Sequence, residues 1–261
     1  MTIINYNTDD RFITYDTHFG KITLYKNDLI RGQFDNNSYW EINEFISLLP
    51  YINRDKNILE IGGHCGTSSI LYAQFLNDNS KVYVYEPQLN MFNLLLHNIT
   101  NNNLDHKIIP YNNAVFCDNI SMQMNNIEVG MGTTVNSSYS DTNSPCNFGG
   151  LCLGTSGESI DAITIDSMKL QNIGFIHCDA QGSENFIFSN ALETITHDKP
   201  VIFYENNEKY DKILYKTVCT SYPQYLTHSQ FSIESYCIHK LKYSAVKYSF
   251  PDNSYNDLLI P

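Results

Sequence analysis

The chain has 261 residues, 42% of them hydrophobic and 17% charged, and carries a formal net charge of −12. That apolar fraction suits one globular domain with a full core and excludes a disordered chain. The negative field repels a phosphate backbone, and the nearest approach to a basic cluster is Lys240, Lys242 and Lys247, so a nucleic-acid substrate is disfavoured while a neutral or cationic small molecule is not.

Seven cysteines occur without any CxxC pair, and Cys146 and Cys152 are spaced too widely for a zinc knuckle, which points to idle thiols in a reducing compartment. The opening MTIINYNTDDR has neither a basic start nor an apolar run, so no signal peptide is expected. No apolar stretch reaches the roughly 18 residues of a membrane span. The expected location is therefore the cytoplasm, and no feature of the sequence fixes an oligomeric state.

Residues 11 to 27 alternate around a turn at Gly20 and predict a β-hairpin. Trp40, Phe45, Leu48 and Leu49 then recur at helical spacing, with Pro50 closing a helix over 39–51. These elements form an N-terminal unit, 1–56, packed on a core of 57–261. From residue 57 short apolar strands alternate with amphipathic helices: NILEIGG, TSSILYAQFL, KVYVYEP, NMFNLLLHNITN and a third strand HKIIPYNNAV. Strands apolar on both faces signal an α/β domain with a mostly parallel sheet covered by helices. Residues 118–161, rich in Asn, Ser, Gly and Thr, interrupt this rhythm and read as loops and small strands laid over the strand ends. Alternation resumes with the strand FIHCDAQG, the helix SENFIFSNALETI and the strand PVIFYENNE. The tail SQFSIESYCIHK followed by YSAVKYSF predicts a final antiparallel pair.

The sharpest local signal is Glu60-Ile61-Gly62-Gly63-His64-Cys65-Gly66, between a strand and a helix. Glycines there let the backbone pass close beneath a ligand, and the helix start presents free N–H groups. The stretch lacks GxGxxG, which disfavours a nicotinamide oxidoreductase. An acid opening a G-x-x-x-G turn looks instead like the first motif of class I methyltransferases. Glu86 ends the next strand, about 20 residues on, where a carboxylate can accept both ribose hydroxyls of an adenosyl group. Asn113 and Ala114 fall at the end of the third strand, beside the adenine in such folds.

Taken in order, these segments resemble the FkbM methyltransferases over roughly residues 28–240. The family's DxGANxG appears as Glu60 to Gly66, its Glu-Pro-helix pattern as YVYEPQLNMFNLLLHN, and its NxGG as Asn147-Phe148-Gly149-Gly150. A later LD turn appears as Ile165-Asp166. The family's KIDVEGxE appears as His177-Cys178-Asp179-Ala180-Gln181-Gly182-Ser183-Glu184, and its closing strand as Pro200 to Glu205. Glu60 replaces an Asp, Gly63-His64 replaces Ala-Asn, His177 replaces a Lys and Gln181 replaces an acid.

The resemblance implies a Rossmann-like sheet of seven strands, one reversed near the end, and S-adenosylmethionine as cofactor. It also implies methyl transfer to a sugar or glycan hydroxyl; a lipid, polyketide or peptide acceptor, or cofactor binding without turnover, are the rival readings. Glu60, Gly62, Gly63, Gly66, Glu86, Asn113 and Ala114 would hold the cofactor, and Asn147, Gly149 and Gln181 would shape the acceptor pocket. Asp179 ends its strand at the sheet edge where α/β folds bind ligands and is the first candidate on the acceptor side. His177 lies about 7 Å from it on the same strand face, and is either the general base or a buried histidine bonded within the sheet. Asp179, Glu205 and Asn206 offer oxygen ligands suited to Mg²⁺. Glu184 reads as a first-turn helix acid, Asp166 as the cap of the SMKL turn, and Tyr39 as a cover for the methionine end.

Overall fold

The structure is a computed structural model, describing residues 5–6, 8–126, 138–140, 143–247 and 256–261. The chain opens with the hairpin, β1 (Phe12–Thr17) and β2 (Gly20–Tyr25), which pair antiparallel with Gly20 at φ +115° in the turn. Two short helices follow, α1 (Arg31–Asp35) and α2 (Ile42–Leu48). The helix expected over 39–51 is shorter than its apolar spacing suggests. Glu41 takes a left-handed φ of +54°, which breaks any continuation, and Pro50 sits in a closing 3₁₀ turn over Leu49–Tyr51.

The core then alternates strand and helix: β3 (Asn57–Ile61), α3 (Thr67–Phe75), β4 (Val82–Tyr85), α4 (Leu89–Asn101) and β5 (Ile108–Tyr111). The expected third strand divides here. Asn112 turns its amide to the carbonyls of Glu86 and Pro87, and the chain leaves the main sheet. It continues as β6 (Ala114–Val115), which joins β7 (Ile120–Met124), β8 (Leu153–Gly154) and β9 (Ser159–Ile163) in a small sheet ordered β6-β9-β7-β8. The polar insertion is thus built partly of short strands, as expected; residues 127–137 and 141–142 of it lie outside the described residues.

The return to the main sheet runs through β10 (Ile173–Cys178), α5 (Glu184–Ser189), α6 (Leu192–Asp198) and β11 (Val201–Glu205). One helix was expected over 183–195, but it breaks at Asn190, whose side chain donates to the Cys117 carbonyl. Asp166 does not cap the SMKL turn, which has no side-chain cap. Its carboxylate accepts the N–H groups of Glu193 and Thr194 and so caps α6.

The last elements are α7 (Glu208–Ser221), α8 (Ile233–Tyr236), a helical turn over Cys237–Leu241, β12 (Ser244–Lys247) and β13 (Asn256–Ile260). The segment SQFSIESYCIHK is helical rather than extended. Ser232 accepts the N–H of Ser235 as an N-cap, and Ile233 and Cys237, four residues apart, share the buried face. β12 pairs instead with β13.

The main sheet has seven strands in the order β12-β13-β11-β10-β3-β4-β5, all parallel except β13. This is the α/β sheet with one reversed strand that the resemblance implies. The order changes direction between β3 and β10, and an open α/β sheet binds ligands beyond the carboxyl ends at such a switch point. The N-terminal hairpin shares the core beneath α4. The backbone N–H and carbonyl of Thr23 both bond the side chain of buried Asn98, whose amide also donates to the Cys65 carbonyl. One side chain thereby ties the hairpin to the turn after β3. Among the described residues no helix is long and apolar enough to cross a membrane.

Candidate cofactor and acceptor site

A cavity opens at the switch point, lined by the ends of β3, β4 and β10, the insertion and the N-terminal segment. Its floor is the bend after β3. Gly62 and Gly63 both donate their N–H to the Tyr85 carbonyl, and Asp179 donates its N–H to the Ile61 carbonyl, so three strand ends are held in register. Gly62 has φ +89°, and a Cβ there would run into the Asp179 carbonyl; one at Gly63 would strike Val84. The bend is glycine because two backbones and a side chain leave no room for anything larger.

Glu86 caps β4 and faces this cavity, almost wholly buried. Its Oε2 accepts the N–H of His64 and its Oε1 that of Gln88, each at 2.8 Å, which fixes the carboxylate plane while leaving further lone pairs. Burial pushes its carboxyl up to about 8, against the pull of those two donors. Asn113, Ala114 and Val115 line the same cavity, with Met124, Leu151 and Leu153 from the insertion sheet, and these apolar side chains form a slot. Asn147 and Gly149 contribute from the insertion, and Phe148 is locked in place by Gln88, whose amide donates to its carbonyl while Tyr139 donates to the Gln88 carbonyl oxygen.

Glu60 and Gly66 take other positions. Glu60 is buried behind the bend, accepting a 2.5 Å hydrogen bond from Ser69 Oγ, and burial pushes it up to about 8. Gly66, at φ +91°, starts α3 and packs under Leu95. Neither lines the cavity; both support its floor from beneath.

On the β10 side, Asp179, Ala180, Gln181 and Ser183 line the cavity with His177. Asp179 and Glu205 are bridged by the Gln181 amide, which donates to Asp179 Oδ1 at 2.5 Å and to Glu205 Oε2 at 3.2 Å. Glu184 joins them, so three carboxyls gather within reach of one another. Burial pushes all three upward, and the charge of Asp179 pushes Glu184 and Glu205 further, so the group retains protons at neutral pH. Asn206 is elsewhere, its amide donating to Asp257 at 2.6 Å. The expected Mg²⁺ trio of Asp179, Glu205 and Asn206 therefore does not fit. The amide N–H groups of Gln181 already lie between the first two, and Asn206 is turned to the reversed strand. His177 is buried, its Nδ1 3.0 Å from the Tyr72 hydroxyl, and burial lowers it to about 4.

Several lining residues carry no sequence motif: Ile30, Trp40 and Glu41 from the N-terminal segment, and Thr67 and Ser68 from the start of α3. Trp40 rather than Tyr39 faces the cavity; Tyr39 is core and donates to the Thr67 carbonyl. No sequence signal marked Trp40 as a lining residue beyond its place just before the helix Ile42–Leu48.

No family profile matches the chain. Protein PFF0380w of Plasmodium falciparum is 28% identical over 129 residues, which is 47% of this chain and 5% of that protein's length. Among solved structures, the methyltransferase FkbM from Methylobacillus flagellatus aligns over 80% of this chain and 44% of its own, with 16% identity and a TM-score of 0.49. The O-methyltransferase from Bacillus cereus, solved in complex with SAH, aligns over 84% of this chain and 80% of its own, at 18% identity and a TM-score of 0.46.

Proposed function

We propose that this chain is an S-adenosylmethionine-dependent O-methyltransferase whose acceptor is a sugar or glycan hydroxyl. The observation that carries the reading is the convergence of the Gly62–Gly63 bend and the Glu86 carboxylate on one cavity at the sheet's switch point. The bend gives close backbone approach to the methionine part. Glu86 offers two oxygens, already oriented by backbone N–H groups, to a pair of ribose hydroxyls. The slot formed by Ala114, Val115, Met124 and Leu153 suits an adenine ring.

Charge supports the same ligand. Among the described residues the lining holds Glu41, Glu86 and Asp179 and neither lysine nor arginine. A diphosphate finds no cation to pair with there, whereas a bound sulfonium and ammonium would draw the buried Glu86 and Asp179 carboxyls toward their ionised forms. An acceptor without phosphate follows, which favours a free sugar or glycan over a nucleotide-linked one.

When bound, S-adenosylmethionine supplies a methyl group on a positively charged sulfur. The protein then has to hold donor and acceptor in line and receive the acceptor's proton; positioning of this kind supplies on the order of 7–11 kcal/mol. Asp179, at the end of β10, orients the acceptor hydroxyl from the acid-rich side, with Gln181 fixing its carboxyl and Asn147 and Gly149 closing the opposite wall.

Mass spectrometry of a panel of free sugars, glycans and apolar alcohols incubated with methyl-labelled S-adenosylmethionine tests the assignment. The expected product is a monomethylated sugar or glycan. Label confined to the apolar alcohols would move the acceptor to the lipid or polyketide class.

A further inference from the structure

The bend after β3 holds a histidine that the motif resemblance leaves without a role. His64 takes a left-handed φ of +49°, donates its backbone N–H to Glu86 and lines the cavity. Its Nε2 is enclosed and lies 3.5 Å from Oδ2 of Asp28, whose side chain is fully buried. Neither atom has a hydrogen-bond partner among the described residues. Two buried polar atoms that face each other across one proton's width cost several kcal/mol unless that proton lies between them.

The segment bearing Asp28 is pinned from both sides. Asp28 Oδ1 accepts the N–H of Ile30, the Leu29 N–H donates to the Cys146 carbonyl, and the Cys146 N–H donates to Asn27. Asp28 therefore cannot swing away from the ring. A Cβ added at Gly149 would lie 3.8 Å from His64 Cδ2, so the ring is close to the Asn147–Gly149 segment that also lines the cavity. With Nε2 directed at Asp28, Nδ1 is left as the nitrogen that no described residue bonds, on a side chain that lines the cavity.

We propose that His64 is the proton acceptor of the site and that Asp28 is its positioning residue, holding the Nε2–H tautomer so that the Nδ1 lone pair meets the acceptor hydroxyl. The step rests on the proposed methyl transfer and balances. The acceptor oxygen forms a bond to the methyl carbon, the carbon–sulfur bond breaks with its pair left on sulfur, and the hydroxyl proton passes to Nδ1. The imidazolium so formed lies against the Asp28 carboxylate, which stabilises it. Burial holds free His64 neutral, lowered to about 4, so its lone pair is available before reaction.

Long-range ¹H–¹⁵N spectra of the ¹⁵N-histidine-labelled chain read the tautomer directly, with His64→Asn identifying the signal. That substitution keeps the left-handed backbone, because Asn tolerates φ > 0. At pH 8, above the value of about 7 to which burial pushes Asp28, the expected state is protonated Nε2 and bare Nδ1. In Asp28→Asn the amide oxygen keeps the Ile30 contact and the NH₂ replaces Oδ2, so the tautomer should flip to Nδ1–H. An Nδ1–H tautomer in the native chain, or no change in Asp28→Asn, overturns the proposal.

His64→Gly also fits the backbone and leaves room for a free ring. With the acceptor found in the labelled panel, its kcat should fall about 10²–10⁴-fold. Added imidazole should restore part of that loss, while affinity for S-adenosylhomocysteine stays within about threefold of the native value. Unchanged kcat, or a loss that imidazole does not relieve, contradicts the assignment. Failure of the native chain to bind S-adenosylhomocysteine would instead strike the methyltransferase reading, which the tautomer measurement does not depend on.

Discussion

At the β3–β4 side of the sheet's carboxyl edge, Glu86 accepts one backbone N–H on each oxygen, and Glu60 accepts a serine hydroxyl. At the β10–β11 side, Asp179, Glu184 and Glu205 face one another, and one side-chain amide, that of Gln181, bridges two of them. Both halves bury carboxyls. In the first half the partners of Glu86 are backbone donors that cannot leave, so its geometry is rigid before any ligand arrives. In the second half Glu184 also accepts a backbone N–H, that of Ala180, but Asp179 and Glu205 are held to each other through the Gln181 side chain, so their arrangement responds to what binds. Under the proposed function the two halves would do different work, the first as a preformed cradle and the second as a contact surface for the acceptor.

The largest effect expected from breaking this contrast is at Gly62. An alanine there combines a left-handed φ with overlap on the Asp179 carbonyl, and should cost about 3 kcal/mol or more. Thermal unfolding should show a drop of many degrees, and cofactor binding should be lost. A stable Gly62→Ala variant would mean that the two halves are not pressed together at the bend.

Gln181→Met removes the bridging donor at nearly constant volume and should cost about 1–3 kcal/mol. The bridge favours the ionised form of Asp179, so the deficit should be small in acid, where the carboxyls are protonated, and should widen as pH rises. Denaturant titrations at several pH values check this; a pH-independent deficit would show that the amide serves packing alone.

A subtler effect concerns Glu60. Its folded value near 8 stands above the ordinary 4.5, so the stability gained from keeping it neutral is complete below 4.5, declines as pH rises and is gone above about 8. Glu60→Gln should flatten the fall in stability between pH 5 and 8. An unchanged slope would place the ionisation elsewhere. The smallest effect is expected from chelation: with the Gln181 amide between Asp179 and Glu205, EDTA should leave turnover unaltered, and a loss restored by Mg²⁺ would show that the amide gives way to a cation.

The cradle was largely legible in the sequence, and for a local reason. The glycine bend and Glu86 are dictated by backbone crowding within 27 residues of chain, so residue type and spacing carry the constraint directly. The strand–helix alternation was legible for the same reason, whereas the reversed strand was expected only from the resemblance and is formed by Asn256–Ile260, outside the two tail segments read as a pair. The acceptor half was not, because its geometry comes from contacts across the fold. Gln181 reaches Glu205, Asn206 turns to Asp257, and Asp28 meets His64 from a loop 36 positions earlier. The helical tail was misread because a short run such as SIESYCI fits both alternation and a four-residue spacing, and the Ser232 cap decides between them.

The central claim is a preformed adenosyl cradle, and titration calorimetry with S-adenosylhomocysteine on the native chain and on Glu86→Ala tests it most directly. The account predicts micromolar-range binding that weakens about 10- to 100-fold when the two hydrogen bonds to Glu86 are lost. No heat with the native chain, or equal affinity in Glu86→Ala, would contradict it.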